Sequence, residues 1–241
     1  MKNFIYFNIN MKDNILFTSA GDNTKFYDLW FSTDRDYDIF VCYYGDSSDQ
    51  KYEEHSDIYL KRKGSKMQNF YHVWKNNIGD IRNYKNYYIV DDDILITTQE
   101  INELFTLLNN LNVWMLQPSF SEKSQVSHDI TKQNKESKYR YTNFIEINTP
   151  FFTNYAITEC MKVYEPILSG YGIDILFMWT LGTDKENKYV IVDYISCINP
   201  IRIKREIDKL EIVSTRISNW YKIQNKLKIP NIKHKNFSII R

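Results

Sequence analysis

Three consecutive aspartates, Asp91, Asp92 and Asp93, are the residues whose types and spacing point most clearly to chemistry. They follow the apolar run 87–90, which is typical of a buried strand, so they emerge at the carboxyl end of that strand. In open α/β sheets, ligands bind beyond the carboxyl ends of the strands. Mg²⁺ and Mn²⁺ prefer oxygen ligands and are often shared between protein carboxylates and substrate phosphates. The triplet therefore predicts a site for a divalent cation and a phosphate-bearing ligand.

The alternation of side chains along a strand predicts roles within the triplet. If the strand continued through it, Asp91 and Asp93 would face one way and Asp92 the other. We expect one of the aligned pair to bind the metal ion and the neighbouring carboxylates to reach the ligand. The alternative is a solvated acidic turn before a helix, whose N-terminal dipole favours carboxylates.

Short apolar runs alternate with segments of helical period, which predicts a mostly parallel sheet flanked by helices. The predicted strands are residues 14–20, 37–44, 57–60, 87–90, 113–116, 141–147 and 189–193. The predicted helices include 66–76, a helix that begins with the capping box at Thr97 and Glu100, and 153–164. The polar stretch 119–140 lies between strands, and a loop of that length is usually a functional lid or disordered.

Composition favours one α/β domain over residues 1–200, with a basic helical extension over residues 201–241. The extension has eleven Lys and Arg against three Asp and Glu, a net charge of about +8. It predicts either a helix with solvated lysines packed on the domain or a weak association with an anionic membrane surface. The whole chain has 31 basic and 30 acidic residues, which gives no reason to expect a nucleic-acid partner.

The cysteine pattern and the absence of long apolar runs predict a cytoplasmic protein. The three cysteines are odd in number and set among apolar residues, as reduced core thiols are. Asparagines interrupt the apolar N-terminus before a signal sequence could form, and no apolar run approaches the ~18 residues that a membrane span requires.

Four segments together resemble a family of glycosyltransferase-like proteins with the GT-A fold, many of them described only as domains of unknown function. The segments are DIFVCYYGD at 38–46, KGSKMQNFYH at 63–72, YIVDDDI at 88–94 and GYGID at 170–174. The chain also resembles small glycosyltransferase domains of large DNA viruses, which would place it in a host cytoplasm.

The resemblance implies a metal-dependent hexosyl- or deoxyhexosyltransferase that uses Mn²⁺ or Mg²⁺ and a nucleotide-sugar donor, usually a UDP-sugar. It implies a glycan or glycoprotein as the acceptor. The donor-binding residues that it implies are Ser19, Gly21, Asp22, Tyr44, Gly45, Asp46, Lys66, Asp91 and Asp92. Ordinary turn chemistry could also account for the glycines and aspartates among them.

The resemblance also implies acidic catalytic residues and a metal-ligand set. Asp174 matches the residue that acts as base in inverting relatives, although it could instead cap the following helix. Glu146 is the second acidic candidate. The metal ligands would be Asp91, Asp93 and Asn199, which lies six residues after Asp193, where relatives often have a histidine.

Three further interpretations of the residues stay open at this point. The four histidines, His55, His72, His128 and His234, are expected to be surface or packing residues. A metal-dependent phosphohydrolase could use Asp91 as nucleophile and Asp93 as acid. A non-catalytic module could bind nucleotide sugars, or polyanions through the basic extension.

Overall fold

The computed structural model describes residues 4–6, 11–22, 24, 26–47, 52–201 and 207–241. These residues form one sheet of ten strands with helices on both faces. The predicted mixed α/β architecture is confirmed.

The sheet combines a parallel half with an antiparallel half. The strands are β1 (Phe4–Tyr6), β2 (Asn14–Ala20), β3 (Tyr37–Tyr43), β4 (Ile58–Lys61), β5 (Asn86–Asp91), β6 (Met115–Phe120), β7 (Tyr139–Thr142), β8 (Phe151–Thr153), β9 (Tyr189–Cys197) and β10 (Asn236–Ile240). Their order across the sheet is β1-β4-β3-β2-β5-β8-β6-β9-β7-β10. Strands β4, β3, β2 and β5 are parallel neighbours, as are β6 and β9, and the other neighbours are antiparallel.

Seven α-helices and two 3-10 turns connect the described strands. The helices are α1 (Phe26–Leu29), α2 (Lys66–Asn76), α3 (Thr98–Asn110), α4 (Asn154–Val163), α5 (Ile173–Leu181), α6 (Ile207–Leu210) and α7 (Val213–Leu227). The 3-10 turns are Ile78–Asn83 and Asp129–Thr131. The predicted capping box opens α3, because the Thr97 side chain accepts from the Glu100 amide and the Glu100 carboxylate accepts from the Thr97 amide.

The core lies in two layers because successive strand residues point to opposite faces of the sheet. On one face, residues such as Phe17 and Ile89 pack against α2, α4, α5 and α7. On the other face, Leu16 and Val90 pack against α3. The central strands β2, β3 and β5 are thus covered on both sides, as their continuous apolar sequences predict.

The structure corrects three predicted elements. The strand predicted at 141–147 is instead β7, which ends at Thr142, and residues 143–147 lie outside it. The stretch 119–140 is not one continuous loop, because its ends belong to β6 and β7 and its centre contains the 3-10 turn Asp129–Thr131. The predicted helical extension beyond residue 200 is interrupted between α6 and α7, where Leu210 and Val213 are exposed. Local periodicity is compatible with either arrangement, and tertiary packing decides between them.

The C-terminal segment 207–241 packs on the rest of the chain. Helix α7 buries Trp220 and Ile223 in the core layer, and β10 pairs with β7 at the edge of the sheet. Among the residues that the structure describes, no helix combines the length and the apolar character needed to cross a bilayer.

Candidate functional site

Three parallel strands end together at one edge of the sheet. Strand β2 pairs with β3 and β5 so that Ser19 lies opposite both Cys42 and Asp91. The amide of Tyr44 donates to the carbonyl of Ala20 over 2.9 Å, which holds the two following turns side by side. The predicted donor-binding residues after β2 and β3 therefore lie next to the aspartate triplet.

The aspartate triplet turns away from the strand instead of continuing it. Strand β5 ends at Asp91, and Asp92 and Asp93 form the turn that follows. The expectation that Asp91 and Asp93 face one way by strand alternation is therefore wrong. Asp92 Oδ2 accepts a hydrogen bond of 2.9 Å from the Gly21 amide, so Asp92 joins the turns after β5 and β2.

The turns after β2 and β3 are tied together by Asp22. Its carboxylate accepts from the Tyr43 hydroxyl and from the amides of Asp46 and Ser47, the latter two over 3.3 Å. The hydrogen bond from Tyr43 lowers the pKa of Asp22, so this carboxylate is held in its charged form.

Two glycines allow the turns to approach closely. A Cβ atom on Gly21 would lie 2.7 Å from the Tyr44 hydroxyl oxygen, and one on Gly45 would collide with Asp22 and Tyr43. Lys63 pairs with Asp46 over 2.7 Å at the exposed rim.

Lys66 links the aspartate triplet to the turn 147–148. It is the first residue of α2, and its ammonium lies 2.8 Å from Asp91 Oδ1. The same ammonium donates to the carbonyls of Ile147 and Asn148 over 2.6 and 3.1 Å. The Asn148 carbonyl also accepts from the Asp91 amide over 3.0 Å. The turn 147–148 therefore lies directly beside the aspartate strand.

Glu146 is buried immediately before this turn. Its carboxyl oxygens accept from the Asn148 side-chain amide over 2.7 Å and from the Thr131 hydroxyl over 3.2 Å. Burial raises the pKa of Glu146 to about 7, and the nearby charges of Asp174 and Asp91 add to the rise while His128 opposes it. Glu146 is linked through Asn148 to the strand end at Asp91. It is linked through Thr131 to the segment of His128, which lies 3.6 Å from Asp174.

Asp174 lies in the first turn of α5 and is almost buried, with 8% of its surface exposed. The helix begins after Gly172, whose φ of 83° is left-handed, and the Trp220 ring packs so closely on this glycine that an added Cβ would collide with it. Asp174 Oδ1 accepts from the Ile175 amide over 2.8 Å, and Oδ2 lies 3.6 Å from His128 Nε2.

Asn199 lies at the same edge of the sheet, one residue after the end of an antiparallel bridge between Leu95 and Ile198. This bridge joins the turn that follows the triplet to the chain leaving β9. The side-chain amide nitrogen of Asn199 donates to the Gln125 carbonyl over 3.1 Å, so a cation would have to be bound by the amide oxygen.

Two of the four histidines lie close to residues of the candidate site. His128 lies against Asp174, although it was expected to be a surface or packing residue. The ring of His234 stacks on Phe144 and lies 5.1 Å from the ring of His128. No local signal reveals these contacts, because the residues come from three distant parts of the chain.

Three side chains at this edge carry oxygen atoms of the kind that a divalent cation binds. Within the described ranges, no cluster of three His, Cys, Asp or Glu residues could hold a metal ion by itself. Asp91 Oδ1 is paired with Lys66, and Asp92 Oδ2 with the Gly21 amide. Mg²⁺ and Mn²⁺ are commonly held by only one or two carboxylates, with substrate phosphates completing the shell. Asp91, Asp93 and Asn199 offer oxygen atoms of that kind.

The amino-acid sequence matches no protein-family model and no curated protein. The fold, in contrast, matches solved structures over most of the chain. The crystal structure of S. aureus TarS 1-349 has 11% identity and a TM-score of 0.55, with 90% of this chain and 73% of that chain covered. The structure of the same protein in complex with UDP-GlcNAc is similar over 90% of this chain and 65% of the other, with 11% identity and a TM-score of 0.55. GalNAc-T7 with UDP, GalNAc and Mn²⁺ has 10% identity and a TM-score of 0.58 over 91% of this chain.

These matches show that the chain has the GT-A fold of glycosyltransferases. The chain spans 48% of the GalNAc-T7 chain and 43% of a longer TarS chain, so it resembles one part of each of these proteins.

Proposed function

We propose that this chain is a glycosyltransferase that moves a sugar from a nucleotide-diphosphate donor, most simply a UDP-sugar, to a hydroxyl group of a glycan or glycoprotein. One observation carries the proposal. Hydrogen bonds through Asn148 and Thr131 link Asp91 to Glu146 and to the segment of His128, which lies against Asp174. This continuity supports one site for the donor and the candidate base. A transferase needs a donor site and a proton acceptor adjacent to each other.

The donor would bind across the ends of β2, β3 and β5. The turns with Ser19, Gly21 and Asp22, and with Tyr44, Gly45 and Asp46, would accommodate the nucleoside, because they lie side by side at the carboxyl ends of β2 and β3. Asp91 and Asp92 would face its ribose and diphosphate. Lys66 lies at a helix N-terminus beside this edge, where both its charge and the helix dipole favour phosphate.

A divalent cation, Mn²⁺ or Mg²⁺, would be held by Asp91, Asp93 and Asn199. When bound, it would act as a Lewis acid that stabilises the negative charge on the departing diphosphate. GalNAc-T7, whose fold is similar, was crystallised with UDP and Mn²⁺.

Asp174 would act as the general base. Its carboxylate would take the proton from the acceptor hydroxyl while the hydroxyl oxygen attacks the anomeric carbon. The bond from that carbon to the diphosphate breaks, and the diphosphate leaves with the electron pair. A single displacement of this kind inverts the anomeric configuration. Glu146, whose pKa is raised to about 7, would be about half protonated at pH 7 and would provide a hydrogen-bonding side chain beside the base.

The test is a panel of nucleotide sugars measured by thermal shift and by product formation, with Mn²⁺ or Mg²⁺ and with chelator. We expect at least one nucleoside diphosphate or its sugar to stabilise the protein only when metal is present. Asp93→Ala should abolish this metal-dependent stabilisation. Asp184→Ala, at an exposed turn near Lys185, is the matched control and should behave as wild type.

Two results would contradict the proposal. The first is that no nucleotide sugar and no nucleoside diphosphate stabilises the protein with metal present. The second is release of inorganic phosphate from simple phosphate esters, which would favour the phosphohydrolase interpretation instead.

A further inference from the structure

His128 lies beside the proposed base Asp174, and the reaction proposed above gives it no role. Its Nε2 atom lies 3.6 Å from Asp174 Oδ2, a distance typical of an ion pair. Its side chain is 28% exposed and that of Asp174 is 10% exposed, so both are partly shielded from water. A charged pair in this setting is screened less than one on an open surface.

His128 is held in place from its own segment. The His128 carbonyl accepts from the Thr131 amide over 2.9 Å and from the Thr131 hydroxyl over 2.8 Å, which closes the 3-10 turn. The same hydroxyl lies 3.2 Å from Glu146 Oε2. The segment that carries the imidazole is therefore fastened to the buried acidic residue of the site.

Two further rings, those of Phe144 and of His234 in the C-terminal segment, lie close to the imidazole. The ring of His128 lies 4.6 Å from that of Phe144 and 5.1 Å from that of His234. His234 stacks on Phe144 with ring centroids 4.0 Å apart. Asn143 fixes this approach, because its side chain donates to the Lys233 carbonyl and accepts from the Lys235 amide over 2.9 and 2.8 Å.

We propose that His128 is a positioning residue for Asp174, which it orients toward the acceptor hydroxyl from a seat formed by Phe144 and His234. This inference rests on the proposed function, since it concerns the base of that reaction. Asp174 Oδ1 is oriented by the Ile175 amide, and His128 orients Oδ2. With both oxygens anchored, the carboxylate keeps one rotamer, and each oxygen retains a lone pair for the acceptor proton.

The charges around His128 favour its protonated form. Burial lowers the pKa of His128, but the interaction with Asp174 and the charge of Glu146 raise it more, so the net shift is upward. His234 is the other titratable group that faces it, and the pKa of His234 is lowered by burial and then by His128.

The first test compares turnover of the full chain with His128→Ala, His128→Gln and the control His72→Ala. We expect His128→Ala to lower kcat about 10- to 100-fold, with the KM for the nucleotide sugar unchanged, because a base displaced by about 1 Å loses on the order of 10²-fold. Added imidazole should restore part of the lost kcat to His128→Ala and none to His128→Gln. Metal-dependent nucleotide binding shows that each variant is folded.

An unchanged kcat in both His128 variants would overturn the positioning role. So would an equal loss in His72→Ala or a loss that appears only in the donor KM.

The second test does not depend on turnover. Histidine side-chain NMR measures the pKa of His128 in the wild-type chain and in Asp174→Asn, and we expect a clear fall in the variant. An unchanged pKa would show that the two side chains are not paired and would overturn the inference. If the wild-type chain binds no nucleotide and transfers no sugar while the pKa does fall, the proposed function fails and the pairing of His128 with Asp174 stands.

Discussion

Two buried carboxylates in this molecule have different partners: Asp193 is paired with a cation, whereas the hydrogen-bond donors to Glu146 are neutral. Asp193 in β9 is 1% exposed and receives the Arg140 guanidinium through Nε and Nη2, at 2.7 and 2.9 Å. The Ser137 hydroxyl and the Asn134 amide complete its shell. Glu146 is 2% exposed, and the donors to its carboxyl group are the neutral side chains of Thr131 and Asn148.

This difference separates a carboxylate that is paired with a cation from one whose hydrogen-bond donors are neutral. A buried charge is tolerated when a cation and further hydrogen bonds compensate for its lost hydration, as they do around Asp193. Around Glu146 the compensation is incomplete, and Asp91 and Asp174 add negative charge. Such an arrangement is typical of a site whose electrostatics are completed by a ligand. The comparison therefore points to the region around Glu146, and away from the region around Asp193, as the site of chemistry.

The largest expected effect is on turnover, through the proposed base Asp174. Asp174→Asn removes the proposed base and should lower kcat by about 10²- to 10⁴-fold. Nucleotide binding and the midpoint of urea unfolding should stay close to wild type, because the amide keeps the size of the side chain. Steady-state kinetics and isothermal titration calorimetry measure the two quantities. Retained turnover would exclude Asp174 as the base.

The next effect concerns the free energy of unfolding, through the buried ion pair of Asp193 with Arg140. Asp193→Asn leaves the Arg140 charge buried without its counterion and should lower the free energy of unfolding by about 3–5 kcal/mol. Arg140→Met should cost a similar amount, and the double variant should cost less than the sum, because the two residues act as one unit. Urea unfolding of the three variants measures this coupling. Folded Asp193→Asn should keep its turnover per molecule, and a strictly additive double variant would contradict the pairing.

A smaller effect concerns the pH dependence of stability. The carboxyl of Glu146 has a pKa of about 7 in the folded chain against 4.5 in the unfolded reference, so the folded chain binds this proton more tightly. Its contribution is fully present below pH 4.5 and is lost as the pH rises to about 7, by on the order of 3 kcal/mol.

Glu146→Gln should remove that decline. The free energy of unfolding of this variant, relative to wild type, should rise between about pH 5 and pH 8 by on the order of 3 kcal/mol. Chemical denaturation at several pH values measures it. Parallel pH profiles for the two proteins would show that the pKa of Glu146 is not raised in the folded chain.

The smallest effect concerns the packing of Trp220, in helix α7, against Gly172 at the start of α5. Gly172→Ala forces a side chain into a left-handed conformation and against Trp220, and should cost about 1–2 kcal/mol of stability with a reduced kcat. Gly182→Ala, also at positive φ but beside the flexible side chain of Lys185, is the matched control. It should lose stability without losing kcat. Equal kcat losses in both variants would remove the special role of the packing against Trp220.

Local sequence was sufficient to predict several elements of this fold. Helix α2 spans residues 66–76 as its apolar stripe predicts, and the capping box at Thr97 and Glu100 opens α3. Helix α4 lies within one residue of its predicted bounds at each end. These elements follow from periodicity and capping, which act over a few residues, so short-range information determines them.

Other elements could not be read from local sequence. Strand β8, residues Phe151–Thr153, is only three residues long and lies antiparallel between β5 and β6. Of these residues, only Thr153 belongs to a predicted element, as the first residue of the helix that became α4, and pairing with two neighbouring strands makes all three extended. The turn at Asp92 and Asp93 is likewise set by a hydrogen bond with Gly21, far away in sequence.

The sequence by itself therefore determined which residue types this chain has for binding a cation and a phosphate, and at which strand end Asp91 lies. Only the tertiary structure decided that Glu146, Asp174 and His128 gather beside that strand end, and that His234 and Trp220 return from the C-terminal segment to support them. The reason is physical. Hydrogen-bonding and helical periods act between near neighbours, whereas burial and charge depend on which distant segments the folded sheet brings together.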